Sequence, residues 1–286
     1  MKIKITGANG YIGRKLLEHL QAKGHSVSGI GRKTLYNSEE IIADQITGSD
    51  AIINLAGAPI LQRWNNHNKS VIYNSRVLTT KKLCGAINSL PKDQQPKTFI
   101  SASAIAIYHP NLQHDENSNS LSSSFSGKVV MDWEDASLDL NENVRRVIFR
   151  LGVVLGKNSL IMKKMIPTFK MGIGGTLGDG KQPFPFIHID DALNAFEGAI
   201  DNENYKGIFN LVAPEQISNQ KFVQSLAKEL NRPAFFKVPT FSIKALWGEA
   251  SEILLATPHV IPDRLTKLGF PFKFPTIEKT FQEINA

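Results

Sequence analysis

The sequence predicts an α/β protein built on a doubly wound parallel sheet, with a smaller lobe towards its C-terminus. Three observations lead there. Three glycines lie between a strand pattern and a helix pattern at the start of the chain. Strand and helix patterns then alternate as far as Gly156. Beyond it the texture changes, and glycines and prolines gather in MGIGGTLGDGKQPFPF, residues 171–186.

The elements follow in order. Lys2–Ile5 alternates like a strand and runs into Thr6-Gly7. From Tyr11 to Ala22, Ile12, Leu16, Leu17 and Leu20 recur at helical spacing, and Gly24 ends the helix. His25–Ile30 is a second strand, so strand, turn, helix and strand fit the length of one βαβ unit. Asp50–Leu55 is a compact apolar strand, Asn68–Ile87 a helix, Thr98–Ser101 a strand, Lys128–Leu140 a helix and Arg145–Val154 a strand. Such alternation argues for a parallel sheet covered on both faces. A helix over 190–200, a strand over 207–212 and a helix over 218–230 follow. The expected division is a core over 1–156, to which later segments return, and mainly a substrate lobe over 157–286. Residues 116–126 (ENSNSLSSSFS) read as a mobile loop.

Composition excludes several classes. With 42% hydrophobic and 21% charged residues, the 286-residue chain is an ordinary globular protein able to bury a large core. No stretch is apolar enough to span a membrane, and the first residues do not form a signal peptide. Cys84 is the lone cysteine, which rules out an internal disulfide and suits the reducing cytoplasm. The net charge of +7 comes from lysines and arginines that look scattered. They read as solvated surface rather than as a nucleic-acid or membrane site.

Gly7, Gly10 and Gly13, with Asn9, Tyr11 and Ile12 between them, form a turn that follows a strand and opens a helix. The glycines allow a tight turn, close backbone approach to a pyrophosphate, and close helix–strand packing. The helix start then offers free N–H groups and partial positive charge to phosphates. This is the dinucleotide-binding turn of a Rossmann-type sheet. At the end of the second strand stand Gly31 and Arg32, where an NAD-binding chain would carry an acid. A guanidinium suits a 2′-phosphate, so NADP is expected over NAD.

The spacing of this turn resembles extended short-chain dehydrogenases/reductases. NLAGAPI (54–60), RW (63–64), SR (75–76), SASA (101–104), DWE (132–134), RLGVVLG (150–156), FIHIDD (186–191) and LWGE (246–249) follow in order. Together they resemble the "epimerase family" group related to sugar-nucleotide epimerases. The segment from VIPDRLTKLGF (260–270) resembles that group's small C-terminal domain. The resemblance implies cofactor contacts from Leu55, Ala56 and Gly57, from Arg76, and from Gly152 and Val153 beside the nicotinamide. It implies a small-molecule or nucleotide-linked substrate, and a homodimer through the helices over 68–87 and 128–140.

The resemblance also implies a Ser, Tyr and Lys that orient substrate and move a proton. Ser103 matches the serine. Tyr and Lys should share one helix face as Tyr-x-x-x-Lys. Counted back from Glu134, their positions hold Ser126 and Val130, and Lys128 lies two residues off. Apart from Tyr11 with Lys15, in the glycine turn itself, no tyrosine has a lysine four residues on. Tyr108, just past Ser103, is the candidate substitute acid. His188 with Asp190 and Asp191 lacks further ligands for a metal and reads as a helix cap. Lys181 and Gln182 are candidate polar contacts in the pocket loop 172–185. Two readings stay open: an NADP(H)-dependent oxidoreductase or epimerase-like enzyme, and a non-catalytic NADP(H)-binding sensor or structural protein.

Overall fold

The computed structural model describes residues 1–110 and 112–285. Six short apolar runs pair side by side: β1 (Lys2–Thr6), β2 (Ser26–Ile30), β3 (Ala51–Asn54), β4 (Thr98–Ala104), β5 (Arg145–Leu151) and β6 (Gly207–Leu211). They form one all-parallel sheet in the order β6-β5-β4-β3-β1-β2. The order reverses between β1 and β3, which opens a crevice at their carboxyl ends. Thr6 lies level with Ile30 on one side and Asn54 on the other, so these three residues mark the crevice floor.

Helices cover both faces because the strands are apolar on both. On one face α1 (Tyr11–Ala22) packs Leu16 and Leu20 against Ile3, Ile5 and Phe149, together with Phe196 from a later helix. On the other, α2 (Glu39–Ile46) and a helix over Val77–Ser89 bury Ile42, Leu83 and Ile87 against Ile52 and Phe99. The helix expected over 68–87 is two: α3 (Asn66–Asn74) and α4 (Val77–Ser89). The break falls at Ser75-Arg76. Ser75 accepts the Ala58 N–H, and Arg76 donates to the Ala58 carbonyl, so this corner serves the loop after β3.

Other boundaries shift for local reasons. β4 runs on to Ala104 and so carries Ser103 within the sheet. α5 (Phe125–Asp135) starts earlier than expected because the Ser124 side chain caps it, accepting from the Gly127 N–H. The strand expected over 145–154 breaks at Gly152, whose N–H bonds the Leu211 carbonyl. Residues Val153–Leu155 then pair with Phe186–His188 in a separate two-stranded sheet. The loop over 116–126 is tied down: Glu116 is buried and accepts the backbone N–H groups of Asn210 and Arg264.

The chain beyond residue 156 serves both units. α6 (Leu160–Lys170), α8 (Asn219–Glu229) and α9 (Ile277–Asn285) border a separate core around Met162, Phe169, Phe222 and Phe281. Between them, α7 (Ile189–Asp201) and β6 return to the main sheet. His188 caps α7 by accepting the Asp190 N–H, while Asp191 accepts Lys273 and Phe274 N–H groups from the C-terminal segment. The HIDD run is therefore structural, though its buried acid anchors another segment rather than its own helix.

A buried polar network crosses the sheet's carboxyl half. Arg150 on β5 grips Glu134 on α5 through Nε and Nη2, at 2.8 and 2.7 Å. Both side chains are over nine-tenths buried. Burial opposes the charge on Arg150, but the Glu134 contacts outweigh it and raise its pKa above the ordinary value. Removing one partner from a buried pair strands the other charge. Glu134→Ala should therefore cost about 3–5 kcal/mol in chemical denaturation. An unchanged denaturation midpoint would contradict this account of the network.

Candidate functional site

The glycine turn lies where the crevice opens. Gly7 has a φ of +67°, and a Cβ there would come within 2.4 Å of the Leu55 carbonyl oxygen. A Cβ on Gly13 would meet the Gly7 carbonyl at 2.3 Å. Both positions therefore exclude any larger residue. Gly10 opens α1 with no side-chain cap, and no acid stands in the helix's first turn. Its leading N–H groups and positive end are left to an anion. Thr6 fixes the opposite wall: its Oγ1 accepts the N–H groups of Leu55 and Ala56 and donates to Asn54 at 2.7 Å. Leu55 and Ala56 are thus held against β1, and a Cβ on Gly7 would strike Leu55. Tyr11 ties the turn to the next lobe through a hydrogen bond to the Lys157 carbonyl, and burial pushes its pKa up to about 12.

Gly31 caps a short helix, Arg32–Leu35, at the end of β2. The Arg32 side chain is exposed and has no hydrogen-bond or ion-pair partner among the described residues. Its guanidinium remains available to a phosphate. This donor set fits a dinucleotide: open helix amides for the pyrophosphate, and a free arginine beside the ribose position of β2.

Arg76 is placed differently. It donates to the carbonyls of Ala58 and Ile72 and lies over the Trp133 ring at 5.4 Å. Burial lowers its pKa to about 10. Its visible work is to hold the loop after β3. Gly152 abuts Pro185 and Val212, where a Cβ would come within 3.0 Å of both, and Val153 donates to the Pro185 carbonyl. These two residues form the bend between β5 and the pocket loop.

The expected chemistry rearranges most. The Ser103 Oγ donates to Glu134 at 2.5 Å and is buried. It is committed to the buried network rather than turned to a substrate. Tyr108 is 1% exposed; its hydroxyl donates to Asn210 Oδ1 at 2.7 Å and accepts from Arg150 at 2.8 Å. Burial raises its pKa. A hydroxyl engaged on both sides inside a core is not poised as a proton donor, so the geometry argues against Tyr108 as acid. Val130 is packed among Ile105, Ile107 and Val260, while Lys128 is exposed and cannot take its place.

At the tyrosine's position the structure brings in a group that the sequence reading missed. Ser126 donates to Glu252 Oε1 at 2.7 Å. The Ser126 hydroxyl also meets Ser124 at 3.1 Å, and Ser122 donates to Ser124 at 3.0 Å. A chain of three hydroxyls thus ends on a carboxylate from the C-terminal lobe. Only the contact across 126 residues reveals it; the run SLSSSFS was its single sequence signal. Nearby, an open cleft of about 490 Å³ is lined by Lys181, Gln182, Thr240, Leu255 and His259. Both polar residues expected of the pocket loop border it. A second cleft of about 300 Å³ lies between Arg63-Trp64 and Trp247-Glu249. Among the described residues no cluster of His, Cys, Asp and Glu could hold a metal ion.

This sheet order, with its turn and free arginine, defines a dinucleotide-binding Rossmann-type protein of the extended short-chain dehydrogenase/reductase kind. The chain belongs to the NAD dependent epimerase/dehydratase family, which it matches over residues 3–211. A domain of unknown function, DUF1731, matches residues 238–284. The chain is 36% identical to the Epimerase family protein SDR39U1 homolog, chloroplastic, of Arabidopsis thaliana, over 99% of this chain and 86% of that one. It is 35% identical to the human Epimerase family protein SDR39U1 over 100% of both. The crystal structure of the human protein (isoform 2) with NADPH superposes with a TM-score of 0.92 at 31% identity, covering 100% of this chain and 99% of that one. A UDP-glucuronic acid 4-epimerase from Bacillus cereus, in complex with NAD, shares the fold at a TM-score of 0.76 and 18% identity, covering 99% and 96%.

Tyr108→Phe separates packing from chemistry. It removes the hydroxyl between Arg150 and Asn210, so stability should fall by about 1–3 kcal/mol. NADPH affinity in a fluorescence titration should stay unchanged. Unaltered stability with impaired cofactor binding would reverse this assignment.

Proposed function

We propose that the chain binds NADP(H) in the crevice between β1 and β3 and acts as an oxidoreductase on a small or nucleotide-linked substrate. The observation that carries the cofactor reading is the exposed, unpartnered Arg32 at the end of β2. The N–H groups opening α1 would hold the pyrophosphate, and Leu55–Gly57 would line the dinucleotide. The NADPH found with the human relative agrees with this choice of cofactor. The lone, buried Cys84 is consistent with work in a reducing compartment such as the cytoplasm.

When bound, the nicotinamide supplies hydride transfer. The proton must be handled by this chain. With Val130 and Ser126 in place of Lys and Tyr, Glu252 is the group to hold it. Its carboxylate would take the proton of a substrate hydroxyl as the carbonyl forms, and return it in reduction. Ser126 orients that carboxylate. A second reading, cofactor binding without turnover, has its own support in Ser103, which is spent on Glu134.

Calorimetric titration should show NADPH binding about tenfold or more tightly than NADH, and Arg32→Ala should bring the ratio close to one. Equal binding of both by the native chain, or an unchanged ratio in the variant, would count against NADP(H). In a screen of carbonyl compounds for NADPH consumption, Glu252→Gln should retain NADPH affinity and lose about 10²–10⁴-fold in turnover. Undiminished turnover in that variant removes Glu252. NADPH binding with no turnover on any compound favours the sensor.

A further inference from the structure

The net charge of this protein has a location. The chain has 33 basic and 26 acidic residues. Seven basic residues and no acidic one lie in segments 157–173 and 231–248, which leaves 26 of each sign elsewhere. The whole formal charge of +7 therefore sits in two short stretches. They look unrelated along the chain but meet in space. Phe236, Lys237 and Val238 pair in parallel with Gly175, Thr176 and Leu177, directly after the first stretch. The Lys164 ammonium stands 5.6 Å from the centre of the Trp247 ring, joining α6 to the helix Thr240–Trp247. Lys157, Lys163, Lys164, Lys170, Arg232, Lys237 and Lys244 are all exposed.

The same stretches expose apolar side chains: Leu160, Met171, Ile173, Phe235, Phe236 and Phe241, with Leu246 beside them. Phe235 is 89% exposed and Phe241 74%. These seven stand among fifteen exposed large apolar side chains named over the described residues, a concentration well beyond scattered surface exposure. Rings and aliphatic chains interleaved with cations, with no acid in either stretch, suit the boundary between headgroups and acyl chains of a bilayer. Lysines there meet anionic headgroups while their stems lie along apolar surface.

We infer that this face of the C-terminal lobe docks on the surface of an anionic lipid bilayer. Attachment is peripheral, since among the described residues no helix is long and apolar enough to cross a membrane. A second copy fits worse, because it would bring two strongly positive faces together. Single-stranded nucleic acid would use the rings for stacking but leaves Leu160, Met171 and Ile173 without a role. The surface charge is thus not the dispersed solvation layer that its sequence spacing suggests.

Sedimentation with sucrose-loaded vesicles tests this on the full chain. One vesicle is phosphatidylcholine alone; the other is a two-to-one mixture with phosphatidylglycerol. Binding to the mixed vesicle should be about tenfold or more tighter, and should fall as salt is raised. A Phe235→Ser, Phe241→Ser pair and a Lys163→Glu, Lys164→Glu pair should each weaken it about tenfold. Both sets of residues are exposed, so fold and NADPH affinity should be retained. Equal or absent binding to the two vesicles overturns the inference. So does undiminished binding by both variants, or capture of a single-stranded oligonucleotide in place of vesicles.

Discussion

Glu134 is held by three donors, and the placement of the site follows from that grip. Its carboxylate accepts from Ser103 on β4 and twice from Arg150 on β5. Two charges taken from water cost several kcal/mol each unless every lone pair and proton is used. Here all three Arg150 nitrogens are engaged: the one not on Glu134 reaches Tyr108, and Tyr108 reaches Asn210 on β6. Asn210 in turn meets Glu116 and the Ile261 carbonyl, so the network reaches the C-terminal segment. A single chain of bonds thus sets the distance from α5 to the sheet. It also decides where Ser126 stands and why Ser103 and Tyr108 are occupied.

The two halves of the crevice are built on different principles. The phosphate side is backbone: a glycine turn whose tight contacts with Leu55 leave no room for a Cβ, and helix amides with no competing cap. It needs no side-chain chemistry. The side around Ser126 depends on which side chains long-range contacts deliver. Position 126 holds a short hydroxyl and position 130 a buried apolar residue. Glu252 comes from the C-terminal lobe to accept the Ser126 hydroxyl. A shift of that lobe would move the carboxylate, whereas the phosphate side touches the lobe through the Tyr11–Lys157 hydrogen bond.

What was legible in the sequence was what is local. The glycine turn, the alternation of β and α, and Arg32 at a strand end all depend on neighbours within a few residues. The break at Ser75-Arg76 was hidden because its cause is the loop after β3. Tyr108 looked free because nothing near it in sequence shows that Arg150 and Asn210 close on its hydroxyl. Glu252 was invisible for the same reason, and so was the basic face, whose two stretches are joined by strand pairing and by Lys164 over the Trp247 ring. The loop over 116–126 has the composition of a mobile segment, yet Glu116 anchors it in the core.

The central claim is that a phosphorylated dinucleotide lies across β1 and β3, held by amides at one end and by Arg32 at the other. A crystal structure of the chain grown with NADPH tests it most directly. The pyrophosphate should lie against the N–H groups of Tyr11–Gly13, and the 2′-phosphate within hydrogen-bond distance of Arg32. The nicotinamide should lie towards the Ser126–Glu252 pair. A 2′-phosphate turned away from Arg32, or a cofactor bound outside this crevice, would contradict the account.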